Sequence, residues 1–541
     1  MAKKSLLKDL KSGKQHKKKQ QQQQNVAPET ADEFLAAGVE LEEGGEKWRV
    51  GDPVKGMRFY MRAIEMYDNG LRRFPNAFDL AYNKARTQYE ITQHPKLSKQ
   101  LPAPLADVLE ASLQSHRAAL VLNQENVDIL FNTAQVLTSL AEALTDDGRS
   151  IVSRTNDEVK VNQAVQHLRE ALDLFQRCRT LQEFHVSQNE EELAEAKKRF
   201  EEQAHAPQEE VGPQEPSGNG NDPSGGSNGS DGDVQWAMVV EPITRDSLID
   251  TAIAQLQALS TLCGLLTLEH STELAWVEEY STGLISEKLP LYTQDASPER
   301  LKEVALAKSA FICSLAEASY RVNRLDFETY QNELSNAFAS LGDISADPDA
   351  LVVQAEALIS FSTAIGEVEQ PDPSKNPDRY RRAQGLRWQA LSSALDGLTK
   401  ASKLPTTEQQ RLPRIHIARG DTEMFRWRLG AAPWSHPPAV QHGAVLLNNA
   451  QTYYRGAAAI ARQQAMHGAV NALEYEAEGL SKEAIAAALG SNVQKLANLL
   501  ARNKAEVMRR AEEMVEDGLA EAEDIKKVWQ LVDPDVVVRM E

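Results

Sequence analysis

The sequence predicts an all-α protein built from successive helical hairpins. Long stretches consist of Ala, Leu, Glu, Gln, Lys and Arg, which are strong helix formers. Runs of β-branched residues are rare and short, as at 352–353 and 536–538. Between residues 44 and 85, small and aromatic residues recur at a spacing that lets antiparallel helices lie close together: Gly44, Gly51, Gly56, Tyr60, Ala63, Tyr82 and Ala85. Arrays of this kind are typically binding surfaces.

The length and composition agree with an extended helical protein. A chain of 541 residues is too long for one hydrophobic core, so we expect about three or four domains or one repeat array. Hydrophobic residues make up 41% and charged residues 26%, as in ordinary globular proteins. We expect no secretory signal and no apolar stretch of about 20 residues, the length that spans a bilayer.

Residues 1–30 are predicted to form a disordered basic tail. The first 25 positions hold eight lysines and one acidic residue, Asp9, and end in a run of five glutamines. Such a segment cannot bury enough apolar surface to fold alone. The whole chain has a net charge of −20, so the rest carries about −27. We interpret the tail as a nuclear-import signal or as an arm that touches RNA phosphates, with these targeting residues: Lys14, Lys17, Lys18 and Lys19.

Residues 31–187 are predicted to form the first block of hairpins. Apolar residues recur at helical spacing from Phe34 onward, and the second helix runs one heptad longer than usual before Pro75. The next two hairpins begin with an aromatic-Asn-x-Ala phrase, at 82–85 and 131–134. These positions resemble the tetratricopeptide repeat, a helical hairpin of about 34 residues, in a degenerate and irregular form. The resemblance implies a solenoid of helical hairpins.

The remaining chain is predicted to contain a linker and a second helical region. Residues 188–234 pass from an acidic stretch into a run rich in Pro, Gly, Ser and Asn, which we expect to be disordered. Residues 235–541 return to helical periodicity, with helices predicted over 250–268, 301–322, 327–341, 350–365 and 379–401. A weaker repeat phrase lies at 446–453. We interpret this region as a continuation of the solenoid, and two independent helical domains are the alternative.

The resemblance also implies a groove lined by the first helix of each hairpin. Aromatic and Arg side chains in such a groove suit peptide recognition. The side chains placed toward it are Trp48, Arg49, Tyr82, Asn83, Arg86, Tyr89, Phe131, Asn132 and Gln135. Members of the family that bind the C-termini of heat-shock chaperones clamp a carboxylate with Lys, Arg and Asn. Only Asn83 matches that clamp, which makes a co-chaperone of the heat-shock proteins the weakest alternative.

A second candidate site is basic. Residues 375–428 hold twelve Lys or Arg residues against five acidic ones, within an otherwise acidic chain. Arg beside an aromatic residue suits phosphate or acidic-peptide recognition. The predicted anionic-partner patch consists of Arg379, Arg381, Arg382, Arg387, Arg414, Arg419, Arg426 and Arg428. The alternative is a solvated surface or a set of internal ion pairs.

The sequence contains no recognisable catalytic or metal-binding motif. We find no phosphate-binding loop, no nucleophile motif and no His or Cys at metal-ligand spacing. Three scattered cysteines, Cys178, Cys263 and Cys313, indicate a reducing compartment and are predicted to be buried apolar residues. We therefore expect a protein that is not an enzyme and that has neither a cofactor nor a metal.

Together these features favour a binding scaffold, or a dedicated escort chaperone for a basic client protein, for example in ribosome assembly. The main alternative is an RNA- or ribosome-associated factor that binds nucleic acid through the tail and the Arg-rich segment. We expect the protein in the nucleus and cytoplasm, without a membrane partner. The sequence leaves the client and the oligomeric state open.

Overall fold

The computed structural model describes residues 27–146, 154–204, 243–266, 271–369 and 376–532. Within these ranges the chain is helical and contains no strand. Most of the predicted basic tail, including its four targeting lysines, lies outside the described residues, as does the Gly/Ser-rich part of the predicted linker.

The described residues form eighteen α-helices in chain order. The first nine are α1 (Ala31–Arg49), α2 (Pro53–Arg73), α3 (Phe78–Gln93), α4 (Leu105–Leu122), α5 (Val127–Asp146), α6 (Arg154–Ala204), α7 (Arg245–Leu265), α8 (Ser271–Gly283) and α9 (Leu289–Tyr292). The others are α10 (Pro298–Arg321), α11 (Phe327–Ala339), α12 (Pro348–Val368), α13 (Pro377–Ala401), α14 (Leu412–Arg428), α15 (Pro437–Met466), α16 (Ala472–Leu489), α17 (Gln494–Glu516) and α18 (Ala522–Val532).

The helices begin where the sequence supplies a capping residue. Thr30 forms a reciprocal capping box with Glu33 at the start of α1. Asp347 accepts a hydrogen bond from the first turn of α12, and a proline occupies the first position of that helix. The helices predicted in the second region correspond to α7 and to α10–α13, and their ends lie within a few residues of the predicted positions. The all-α prediction is confirmed.

The helices pack as a helical-repeat array. From α1 to α7, each helix packs against the next one in the chain, and alternate helices also touch, which gives the series α1–α3–α5–α7. The same order of contacts continues through α12–α17, with α14, α16 and α18 as the alternate series. Nearest-neighbour packing of this kind defines a solenoid. The helical-repeat architecture is therefore confirmed.

Glycine allows the first hairpin to close tightly. A Cβ atom on Gly56 would lie 3.0 Å from backbone atoms of Arg49 in the antiparallel helix. A larger residue at this position would therefore push the two helices apart. The sequence assigned Gly51 the same role, and this prediction is wrong, since a Cβ there would meet nothing within 4 Å. Gly51 lies in the turn between α1 and α2.

The largest core runs from α4 to α10, and α7 lies within it. By length and composition, α7 and α12 could each cross a membrane, which the sequence analysis did not expect. Most of the apolar window of α7 is buried against neighbouring helices, as is usual for a core helix. Cys178, Cys263 and Cys313 are free and buried, as predicted, and burial raises the pKa of each thiol to about 12.

Helix α6 corrects the predicted start of the linker. It contains 51 residues and extends about 76 Å at the usual rise per residue. Residues 188–204, which the sequence placed in a disordered linker, form its last turns. The base of this extension is attached to α7, because Glu190 pairs with Arg245 and Asn189 donates a hydrogen bond to the carbonyl of Ile243.

Candidate functional site

The predicted groove residues lie where α1, α3 and α5 meet. Arg49 on α1 pairs with Glu90 on α3 at 2.8 Å. One step further along the array, the amide of Asn132 on α5 donates to the hydroxyl of Tyr82 on α3 at 3.3 Å. The Tyr89 hydroxyl also lies 3.4 Å from the backbone carbonyl of Gln135, to which it donates a hydrogen bond. We call the surface formed by these three helices the α1–α3–α5 face.

The carboxylate of Glu42 is the centre of the first junction. Its side chain is buried and accepts hydrogen bonds from the hydroxyls of Tyr67 at 2.7 Å and Thr87 at 2.5 Å. It also pairs with the guanidinium of Arg86, which in turn contacts Glu90. This network crosses from α1 to both α2 and α3. The sequence alone does not mark Glu42 as a residue of the groove, because an acidic residue in a helix is usually solvated.

Glu46 lies one helical turn beyond Glu42 on the same face. Its half-buried carboxyl group has no hydrogen-bond or ion-pair partner within the part of the chain that the structure describes. Burial raises its pKa. The positive charges of Arg49 and Arg86 oppose this effect, while the negative charges of Glu90 and Glu42 add to it. A carboxyl group in this position is available to a cation from outside the chain.

Three other predicted groove residues make local contacts. The ammonium of Lys55 lies 3.3 Å from the ring centroid of Trp48. Phe131 packs edge-on against a ring of α6, with a centroid separation of 5.5 Å. Asn83 donates to the carbonyl of Asp79 within its own helix. The structure therefore brings six predicted residues together at the helix junctions, and these are Arg49, Tyr82, Arg86, Tyr89, Asn132 and Gln135.

Most arginines of the predicted Arg-rich patch form ion pairs within the chain. Six of its eight arginines pair with carboxylates, and four of those carboxylates lie on other helices or in loops between them: Arg379–Glu369, Arg381–Asp378, Arg382–Glu328, Arg414–Glu356, Arg426–Glu423 and Arg428–Glu521. Arg419 is buried, with its guanidinium 4.0 Å from the ring centroid of Tyr453. Of the two possibilities that the sequence leaves open, an anionic-partner patch or a set of internal ion pairs, the second describes six of the eight arginines.

Arg387 differs from the other arginines of this set. Its guanidinium lies 4.5 Å from the ring centroid of Trp434, and its Nε donates a 3.4 Å hydrogen bond to the Ser362 hydroxyl. No carboxylate in the described residues lies within ion-pair distance of it. Burial, and after it the positive charge of Arg428, lower the pKa of Arg387 to about 10.

A buried charge network surrounds α16. The ammonium of Lys482 contacts the carboxylate of Asp421 at 3.0 Å and that of Glu478 at 3.1 Å. Burial opposes the charge of Lys482, but the two carboxylates outweigh this effect and raise its pKa. Glu478 continues the network to the buried Arg510 on α17. The sequence analysis assigned no role to these residues.

The two ends of the array approach each other. Lys99, between α3 and α4, lies 3.5 Å from Glu474 on α16, and both side chains are about half exposed. Beside this contact is a cavity of about 430 Å³. Its lining includes Val50, His94 and Lys96 from the first helices and Gln409, Gln464 and His467 from the later ones. Among the residues that the structure describes, no group of three or more His, Cys, Asp or Glu side chains could hold a metal.

Comparisons with known proteins identify two relatives. A UPF0656 protein of Schizosaccharomyces pombe is 36% identical over 150 residues, which cover 28% of this chain and 32% of that protein. An uncharacterized protein of Saccharomyces cerevisiae is 26% identical over 163 residues, 25% of this chain and 29% of its own length. The chain thus matches about a third of the length of each relative.

No protein-family model matches the chain. A solved structure described as a circular tandem repeat protein with novel repeat topology and enhanced subunit contact surfaces aligns with 90% of this chain and 99% of its own. The sequence identity is 14% and the TM-score is 0.28. The helical-repeat architecture therefore follows from the packing of the chain's own helices.

Proposed function

We propose that the protein is a non-enzymatic binding scaffold or escort that holds an extended, basic segment of a client protein along the α1–α3–α5 face. The observation that carries this proposal is the half-buried, unpartnered carboxyl group of Glu46, close to Glu42 and Glu90. A Lys or Arg side chain of the client would give the Glu46 carboxylate an ion-pair partner. The resemblance of these hairpins to tetratricopeptide repeats, which bind peptides along this face, supports the same role.

The overall charge favours the same kind of partner. The net charge of −20 attracts a basic client and speeds its encounter with the face. A client that binds RNA, such as a ribosomal protein, has the required excess of positive charge. We propose that such an escort acts in the nucleus and cytoplasm, with the Lys-rich tail as the import signal.

The two alternative functions have less support. Direct RNA binding through the Arg-rich segment requires free guanidinium groups, whereas six of the eight predicted arginines already pair with carboxylates. A co-chaperone of the heat-shock proteins requires cations on the α1–α3–α5 face. The predicted groove residues Arg49 and Arg86 are cations, but they already pair with Glu90 and Glu42.

Site-specific photo-crosslinking in cells tests the proposal. A crosslinking amino acid is placed in the full chain at Gln135, on the α1–α3–α5 face, or at the exposed Gln114 on α4. We expect Gln135 to capture a basic protein, and Gln114 not to capture it. The purified client should then bind Glu46→Gln several-fold more weakly than wild type, whereas a Glu65→Gln control on the exposed side of α2 should bind normally. Equal capture at the two positions, or an acidic client, would contradict the proposal.

A further inference from the structure

A second binding site is indicated by arginine groups that lack acceptors. Arg387 extends from α13 toward α12, where a Cβ atom on Gly366 would lie 2.7 Å from its Nη2. The absence of a side chain at Gly366 therefore makes room for the guanidinium. Nη1 of Arg387 is buried and has no hydrogen-bond partner. A buried N–H group without an acceptor costs free energy, which a native structure usually avoids.

Arg428, on α14, adds further unpaired donors nearby. One of its terminal nitrogens pairs with Glu521, but its Nε and Nη1 are buried without partners. The positive charges of Arg428 and Arg387 are close enough to repel each other. Glu367 attracts Arg387 at longer range and is itself paired with Arg321. Two neighbouring guanidinium groups with unpaired N–H donors form a site that one anion would complete.

Aromatic rings pack around the Arg387 guanidinium and its neighbours. Trp434 lies beneath Arg387 and stacks on Tyr380, with ring centroids 5.7 Å apart. Trp388 packs between the guanidinium of Arg426 and the imidazole of His436. His436 is only 9% exposed, and neither of its ring nitrogens has a partner. Stacked arginines lose little entropy on binding because their planes are already fixed.

We propose that a single oxyanion group, a phosphate or a carboxylate, binds between Arg387 and Arg428. The Nη1 of Arg387 and the Nε and Nη1 of Arg428 can each donate a hydrogen bond to such a group. The net charge of −20 on the whole chain disfavours a polyanion such as RNA. This site is separate from the α1–α3–α5 face, and it does not depend on the function proposed above.

Calorimetric titration of the full-length protein tests the proposal at a constant ionic strength maintained with chloride. Inorganic phosphate and acetate are titrated separately. We expect saturable binding of at least one of them. Binding of phosphate alone would identify a phosphorylated ligand, and binding of acetate alone would identify the acidic side chain of a protein partner. Saturable binding of neither anion would overturn the proposal.

Variants separate a binding role from a structural one. Arg387→Gln and Arg428→Gln should each weaken anion binding at least tenfold. Arg382→Gln, which removes an exposed arginine paired with Glu328, should leave it unchanged. If Arg387→Gln fails to fold, Arg387→Lys keeps the charge, loses the planar fork and should bind more weakly. Phosphate or acetate should also raise the Tm of wild type but not of these binding variants. Wild-type affinity in Arg387→Lys and Arg428→Gln would show that the two arginines do not bind the anion.

Discussion

The helix triplets α1–α3 and α14–α16 contain the same arrangement of tyrosine, carboxylate and cation, but they bury the cation to different depths. In α1–α3, the Tyr67 hydroxyl donates to Glu42 at 2.7 Å, and Glu42 pairs with Arg86 on the third helix. The Tyr67 ring packs directly against Gly38, where a Cβ atom would overlap it. The carboxylate, the tyrosine and the cation therefore lie on α1, α2 and α3, respectively.

In α14–α16, the Tyr454 hydroxyl donates to Asp421 at 2.7 Å, and Asp421 pairs with Lys482 on the third helix. A Cβ atom on Gly420 would overlap the Tyr454 ring. The Lys482 side chain is 4% exposed, whereas the corresponding Arg86 side chain is 34% exposed. The same connection thus serves as a buried structural network at one end of the array and as part of an accessible face at the other.

The largest expected effect tests the buried network. Lys482→Met removes the charge that compensates Asp421 and Glu478, so the free energy of unfolding should fall by about 3–5 kcal/mol. Denaturant unfolding of the full chain measures this, with Lys526→Met, a half-exposed residue on α18, as the control. A loss below about 1 kcal/mol would mean that water reaches the network, so that depth of burial would not distinguish the two triplets.

The next effect tests the shared glycine–tyrosine contact. Gly38→Ala and Gly420→Ala each place a methyl group into a buried tyrosine ring, which should lower the free energy of unfolding by about 1–3 kcal/mol in both triplets. Gly51→Ala, where the methyl group meets nothing within 4 Å, should leave stability unchanged or slightly higher. If only one of the two glycines is sensitive, the packing of the triplets is not equivalent.

A smaller effect is expected for Arg86, the less deeply buried of the two cations. Arg86→Met leaves Glu42 with the hydroxyls of Tyr67 and Thr87 as donors, so the loss should be about 1–2 kcal/mol in the same unfolding assay. The variant should be clearly more stable than Lys482→Met. Equal losses would remove the distinction between an accessible and a buried network.

The smallest effect concerns Glu46 and depends on pH. Its pKa is raised in the folded state, so ionisation costs stability as the pH rises from about 4.5 through the folded pKa. Glu46→Gln removes this cost and should therefore be more stable than wild type at pH 7, by less than about 1 kcal/mol. The difference should disappear below about pH 4, where both side chains are neutral. A variant that is less stable at pH 7 would indicate a hidden partner for Glu46.

The sequence patterns predict where the helices lie, but they do not predict which charged side chains pair. Helix periodicity predicted α7 and α12 within a few residues of their ends. By contrast, the sequence predicts a linker from residue 188, whereas α6 continues to Ala204. A solvated helix and a disordered segment can share the same acidic composition, so the sequence does not separate them. The Arg-rich segment was interpreted as one surface, because sequence alone does not reveal partners such as Glu328 or Glu521 on other helices.

The amino-acid sequence by itself determined the all-α class, the hairpin order and the burial of the three cysteines, because helical propensity, apolar periodicity and turn residues act over a few residues. Only the tertiary structure decided which charges are neutralised. Lys482 and Asp421 are separated by 61 positions in the chain, and Arg86 and Glu42 by 44. Their pairing depends on how neighbouring helices pack, and the same packing leaves Glu46 without a hydrogen-bond or ion-pair partner among the residues that the structure describes.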